Sequence, residues 1–350
     1  MSSGPAAIDV EAGNAARARQ LQLTKPPGSL GRLEDLACWF AARLKNAVPA
    51  APQCEIFVFA GDHGVAARGV SAFPQSVTGQ MVGNFARGGA AINVLAALEG
   101  CRIEVVDVGV ASGEPPPPGV RNERVRAGTR DLAETAAMTA EELRAALAVG
   151  ARCAAAAAER GTRLIIAGDM GIANTTSAAC LICAFTGATP EGVVGRGTGV
   201  DDTGLARKRE VVQMALARVS KGGSADPSRT LAELGGLEIA AIAGLYLESA
   251  RLGVPVMLDG YISTAAALAA AAIEPRVADW MLASHRSAEA GHRFALEKLK
   301  LEPLVDLRLR LGEGTGAALV LPIVRAALAL HGKMATFGEA GVSGAIEDAK

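Results

Sequence analysis

Leu164-Ile-Ile-Ala-Gly-Asp-Met-Gly-Ile-Ala-Asn-Thr-Thr176 is the stretch that decides the fold. A short apolar run stops at Gly168-Asp169-Met170-Gly171, and Asn174-Thr175-Thr176-Ser177 then opens a run of small residues that reads as a helix. A strand that ends in glycine and hands over to a hydroxyl-capped helix is a cradle for an anion. Its free backbone N–H groups and the positive end of the helix dipole converge on one spot. The same residues also fit an ordinary strand-to-helix turn with a good N-cap, so this stretch alone leaves both readings open.

The arrangement recurs along the chain. Glu55–Ala60 runs into Gly61-Asp62-His63-Gly64, Arg102–Val108 into Gly109, and Val193-Val194 into Gly195-Arg196-Gly197-Thr198-Gly199. Val254–Leu258 ends in Asp259-Gly260-Tyr261, and Trp280–Ala283 ends in Ser284-His285. Longer stretches rich in alanine and leucine follow each run. Continuous apolar strands alternating with helices predict an α/β fold with a parallel sheet buried on both faces. Ligands of such sheets sit beyond the carboxyl ends of the strands. Those ends carry Asp62, His63, Asp169, Arg196, Asp259 and His285, and this edge is the expected active-site face.

Composition narrows the partner. The 350 residues are 50% hydrophobic and only 3% aromatic, with a formal net charge of -1. Stacking platforms and a basic surface are both lacking, which argues against nucleic acid and for a small-molecule ligand. No N-terminal signal pattern is read, and Ser263–Ile273 is too short and alanine-rich to span a bilayer, so a soluble cytoplasmic protein without a membrane role is expected. Cys180-Leu-Ile-Cys183 has redox or zinc-ligand spacing but lies in an apolar helix with no second ligand pair, and reads as buried thiols. The four histidines form no His-x-x-x-His pair, so neither a metal nor a cofactor is expected. His63, beside Asp62, reads as a hydrogen-bonded loop residue or as a ligand-binding group.

The beginning of the first twenty residues reads as frayed, and Thr24-Lys-Pro-Pro-Gly-Ser29 stops any helix before Ser29 caps the segment carrying Leu30, Leu33, Leu36 and Phe40. Ser112-Gly-Glu-Pro-Pro-Pro-Pro-Gly119 is a stiff excursion, Ala145–Ala158 a helix by propensity, Ser220–Asp226 a loop, and residues past Phe337 a loose tail. Gly195-Arg-Gly-Thr-Gly199 fails the dinucleotide fingerprint because Val200 takes its last glycine position. Asp201-Asp202 lacks the preceding strand of a phosphoribosyl-pyrophosphate site and reads as a surface loop.

Near the end stands Arg310-Leu-Gly-Glu-Gly-Thr-Gly316, followed by an amphipathic helix over Ala317–Leu330. Glycine on either side lets a ligand approach the Glu313 carboxylate without an obstructing Cβ. The dipole of the following helix favours the ionised acid. Glu313 is therefore a candidate general base, or a side chain that caps its own helix.

These segments together closely resemble the nicotinate-nucleotide–dimethylbenzimidazole phosphoribosyltransferases, which make the lower-ligand nucleotide of cobalamin. The resemblance runs from about Thr24 to Val342 and rests on Lys25-Pro-Pro-Gly-Ser-Leu-Gly-Arg-Leu-Glu34, Gly61-Asp-His-Gly64 and Gly168–Thr176. Asp259-Gly-Tyr-Ile-Ser263, Ser284-His285 with Ser287-Ala-Glu289, and Leu311-Gly-Glu-Gly-Thr-Gly-Ala-Ala318 complete it. It implies a three-layer Rossmann-like domain with a mainly parallel sheet over residues 46–307, and a small helical domain formed by residues 1–45 with 308–350. It also implies a homodimer that transfers phosphoribosyl from nicotinate mononucleotide to a benzimidazole-type base. On this resemblance Glu313 matches the catalytic glutamate. Gly171, Asn174, Thr175 and Thr176 match the phosphate turn, with Gly197 and Lys208 as companions. Asp169, Asp259 and Leu311 join the substrate-binding set. Many members carry glutamate at the position of Asp169, and some carry serine and glutamine where Phe73 and Met81 line the base pocket here. Adenine and phenolic acceptors are used by relatives.

Overall fold

The computed structural model describes residues 4–221 and 226–344. Two helices, α1 (Val10–Gln22) and α2 (Arg32–Leu44), precede strand β1 (Cys54–Gly61). Helices α3 (Val77–Ala86) and α4 (Ala91–Leu98) lead to β2 (Arg102–Gly109) and β3 (Val120–Asn122); α5 (Ala140–Glu159) leads to β4 (Leu164–Met170). Then come α6 (Asn174–Thr186), α7 (Pro190–Val193), α8 (Asp202–Lys221), α9 (Pro227–Leu234) and α10 (Leu237–Leu252). Strand β5 (Val256–Leu258), α11 (Tyr261–Ile273), β6 (Met281–Ala283), α12 (His292–Leu299), α13 (Thr315–Lys333) and α14 (Phe337–Ala340) follow.

All six strands are parallel, in the order β3-β2-β1-β4-β5-β6. The succession reverses between β1 and β4, where Phe59 pairs with Asp169 and Ala60 with Met170. Adjacent loops diverge at such a switch point and leave a crevice beyond the strand ends. Alternation divides the strands between two cores. Phe57, Phe59, Ile165, Ala167 and Leu258 face the core that includes α5, α6, α10 and α11. Ile56, Val58, Ile166 and Met257 face α2, α4 and α13.

Helices from the two ends of the chain thus cover one face of the sheet. Arg19 donates to the carbonyl of His331 at 2.9 Å, and Leu23 bridges Thr336. Of the helices described, α13 alone is long and apolar enough to cross a membrane, but Ala317, Leu321, Val324 and Leu328 lie buried in the sheet-facing core.

Several local expectations change. Val193-Val194 is no strand: Pro190 starts the short helix α7, and two valines before a glycine loop are too few to pair. Strand β3 forms at the sheet edge just after the proline run, and its three residues are too few to show a strand pattern in the sequence. Helix α1 starts at Val10 with Asp9 as its N-cap, residues 4–9 are not helical, and residues 1–3 of the expected frayed beginning lie outside the described residues. Gly31, not Ser29, caps α2, and Glu34 instead binds the Leu30 N–H at 3.0 Å and Lys25 at 2.8 Å. Asp202 opens α8, while residues 222–225 of the expected loop and 345–350 of the tail lie outside the described residues. Phe337–Ala340 is a helical turn.

The α5–α10 contact requires glycine from both sides. A Cβ on Gly150 would overlap the Ala241 carbonyl oxygen, and one on Gly244 would overlap that of Leu147. Backbone cannot yield as a side chain can, and overpacking costs about 1–3 kcal/mol or more. Gly150→Ala is expected to destabilise the fold by at least that much, measured by urea unfolding followed by far-ultraviolet dichroism.

Candidate active site

A cavity of about 310 Å³ opens beyond the carboxyl end of β4, within the range of small-molecule sites. Its walls come from four distant segments: Phe73 and Met81, the turn from Asp169 to Thr175, Gly197-Thr198, and Arg310 to Glu313. Gly260, Tyr261, Ile262, His285, Ser287 and Glu289 close the remaining side.

Gly312, Glu313 and Gly314 all have left-handed backbone, with φ of +88°, +64° and +91°. This conformation is strained for a glutamate, so the surroundings must hold it. They do so through β4, where a Cβ on Gly168 would overlap the Glu313 carbonyl. Asp259 adds two bonds, accepting the N–H groups of Gly314 and Ala317 at 3.1 Å each. Glu313 is 5% exposed, and its carboxylate accepts the Ile92 N–H at 3.4 Å, at the start of α4. It does not cap its own helix. Burial raises its pKa despite that bond, contrary to the expected influence of the dipole.

The anion cradle is built differently from the sequence expectation. Helix α6 has no side-chain N-cap; its cap is Ala173, left-handed at φ +74°. Asn174 donates instead to Asp169 Oδ2 at 2.9 Å, and the Lys208 ammonium donates to Thr175 Oγ1 at 2.7 Å. Thr176 is fully buried and does not line the cavity, and Lys208 lies just behind Thr175 and Gly197. The Asn174 and Thr176 N–H groups bond back to the Gly171 and Ala173 carbonyls. It is therefore the dipole of a helix without a side-chain cap, beside a buried ammonium, that suits a phosphate or carboxylate. The Gly197 carbonyl is held by Arg310 at 3.0 Å, and Thr198 Oγ1 accepts the Ala72 N–H at 3.0 Å. These bonds tie the cradle to the apolar wall across the cavity.

In that wall Phe73 is 53% and Leu311 60% exposed at the cavity mouth, with Met81 deeper. Asp169 lies beside Gly312, and burial, with Asp259 and Glu313 as neighbouring charges, pushes its pKa well up. Asp259 does not line the cavity. It holds α13, and burial lifts its pKa to about 7. His63 is a fully buried loop residue paired with Glu238 at 2.6 Å, beneath Gly171. Sequence reasoning missed Glu289, Ser287 and Arg310 as cavity residues. The Ser287-Ala-Glu289 motif was the available signal, but no periodicity places it on the same cavity as Glu313. Cys180 and Cys183 are buried thiols on α6, and among the described residues no three His, Cys, Asp or Glu side chains group as metal ligands.

The profile of a family described as phosphoribosyltransferase matches residues 6–342. A nicotinate-nucleotide–dimethylbenzimidazole phosphoribosyltransferase of Chromobacterium violaceum is 60% identical over 96% of this chain and 97% of its own length. One from Xanthomonas campestris pv. campestris is 52% identical, covering 95% of this chain and 94% of that protein. The chain belongs to the nicotinate-nucleotide–dimethylbenzimidazole phosphoribosyltransferase family. It is a pentosyltransferase. The crystal structure of a Thermus thermophilus member superposes with a TM-score of 0.91 at 49% identity, over 97% of this chain and 100% of that one.

In this phosphoribosyltransferase Lys208 is the buried cation behind the α6 turn. Burial lowers its pKa from 10.5 to about 8, opposed by the charge of Glu289. The unfolded chain therefore holds more protons between those pH values, so burying Lys208 destabilises the fold below about pH 8, and that cost fades as pH rises toward 10.5. Lys208→Met is expected to leave stability at pH 7 unchanged or to raise it by up to about 3 kcal/mol. The same variant should lose affinity for inorganic phosphate. In the parent protein, that affinity, measured by calorimetry, should fall as pH climbs through about 8.

Proposed function

We propose that the protein transfers phosphoribosyl from nicotinate mononucleotide to 5,6-dimethylbenzimidazole, giving α-ribazole 5′-phosphate and nicotinate, with Glu313 as general base. The observation that carries this reading is the buried Glu313 carboxylate, held between two left-handed glycines on the same cavity as the α6 cradle. Under it, Thr175, Gly171, Asn174 and Gly197, backed by Lys208 and Thr176, receive the 5′-phosphate. Phe73, Met81 and Leu311 flank the flat base. Asp169 borders the reacting groups, and Asp259 acts through the position of α13.

The ring nitrogen of the donor's pyridinium takes the C–N bonding pair and leaves as the neutral pyridine ring of nicotinate, so departure needs no general acid. The requirement is position: the attacking benzimidazole nitrogen meets the ribose carbon on the face opposite the leaving ring. That in-line path turns a β-nucleotide into an α product. As the new bond forms, the other ring nitrogen becomes acidic, and Glu313 takes its proton. A carboxylate with a raised pKa is the better matched base. In this reading the terminal segments (1–45 and 308–350) form a small helical domain, and the working molecule is a cytoplasmic homodimer.

The test is nicotinate release, followed chromatographically with a panel of bases. Glu313→Gln should fold and bind the donor within about threefold of the parent, yet lose about 10²–10⁴-fold in kcat. Near-parental turnover would dismiss Glu313 as base. The pH profile should be bell-shaped: the acid limb reports a Glu313 pKa above the ordinary carboxylate value, and the alkaline limb lies near pH 8, where Lys208 loses its proton.

A further inference from the structure

Glu289 lines the cavity and is 8% exposed, yet its Oε2 is buried with no hydrogen-bond partner. A buried carboxylate oxygen without a donor is costly, and such an oxygen in a cavity wall is completed by what enters the cavity. The chain makes room for it, since a Cβ on Gly195 would overlap Oε2. The other two acids of the cavity wall are already engaged: Asp169 by Asn174, and Glu313 by the Ile92 N–H.

We infer that Glu289 accepts hydrogen bonds from the ribose 2′- and 3′-hydroxyls of the donor nucleotide, and so selects ribosyl over deoxyribosyl donors. This rests on the reading above and goes beyond it. The substrates' donor protons match the available acceptors. The acceptor base brings one N–H, assigned to Glu313, and the nicotinate ring brings none. A phosphate in the Lys208 cradle is ionised and would repel Glu289. The ribose diol supplies the remaining donors, and a carboxylate is well shaped to take two adjacent hydroxyls. Glu289 also fits by location, because Gly195 begins the loop whose Gly197 meets Lys208 and Thr175. This puts the carboxylate next to the phosphate cradle, in the wall of the same cavity. The same carboxylate supports the charge of Lys208, and the test must separate the two effects.

The experiment is calorimetric titration of the parent, Glu289→Gln and Glu289→Asp with nicotinate mononucleotide and its 2′-deoxy and 3′-deoxy counterparts, without acceptor base. A hydrogen bond to a charged group corresponds to about 10–10²-fold in affinity, so the parent should prefer the ribosyl donor by that factor over at least one deoxy counterpart. In Glu289→Gln the preference should shrink to about threefold or less, on top of whatever uniform loss the change at Lys208 imposes on all three donors. Glu289→Asp keeps the charge near Lys208 but withdraws the oxygens by one methylene, and should lose the preference as well. Equal weakening of all three donors in Glu289→Gln, with the preference intact in Glu289→Asp, would overturn the inference and leave Glu289 a partner of Lys208 alone. A parent enzyme that binds all three donors equally would overturn it too. Failure of the parent to bind the nucleotide, together with no nicotinate release for any base, would instead remove the donor assignment on which the inference rests.

Discussion

The peptide joining Glu313 to Gly314 lies directly against the α-carbon of Gly168, and the site depends on that approach. Any side chain on β4 at this point would drive the loop outward. Three successive residues are held in left-handed backbone there, and the bonds from the N–H groups of Gly314 and Ala317 to Asp259 fix the direction in which α13 departs. A strained glutamate persists because sheet and helix both over-determine it. The carboxylate is consequently aimed by main-chain packing, which is stiffer than a rotamer choice on a regular helix.

Around this anchor the charges are separated. Glu313 and Asp169 stand together at one end, and burial raises both pKa values. Lys208 stands at the other end, where burial lowers its pKa. Each group is displaced toward its neutral form, as removal from water requires. Under the proposed function, the donor's anionic phosphate would meet Lys208 at one end and the N–H of the acceptor base would meet a carboxylate at the other. The cost of keeping these groups out of water is thus built in by folding. Such preorganisation is the common pattern of active sites.

Much of this was legible in the sequence, for particular reasons. The apolar runs at Glu55–Ala60 and Leu164–Ala167 had no polar face, and only a parallel sheet covered on both sides accepts such strands. The glycines around Glu313 marked close approach, though not to which strand. Three things were hidden. Hydroxyls after Ala173 suggested a side-chain cap, but Ala173 adopts a left-handed cap and leaves Asn174 free for Asp169. The local sequence around Glu313 implies a helix dipole that favours the ionised acid, but burial, which no local pattern reports, is the larger effect. Asp259 looked like a ligand residue because it ends a strand, yet its partners lie more than fifty residues away, at Gly314 and in α13. Long-range pairings of this kind leave no trace in periodicity.

The cavity draws its walls from Phe73, from the β4 turn, from the loop that begins at Gly195 and from residues 310–313. Helix α13, emerging late during translation, also supplies one layer over the strands. Until the ribosome has released residues 312–333, the sheet face shared by α2, α4 and α13 is only partly covered and the cavity lacks the wall that holds Glu313. Vectorial synthesis thereby completes the core and the cavity in the same late step: a chain stalled before α13 exposes apolar strand surface and has an unfinished pocket.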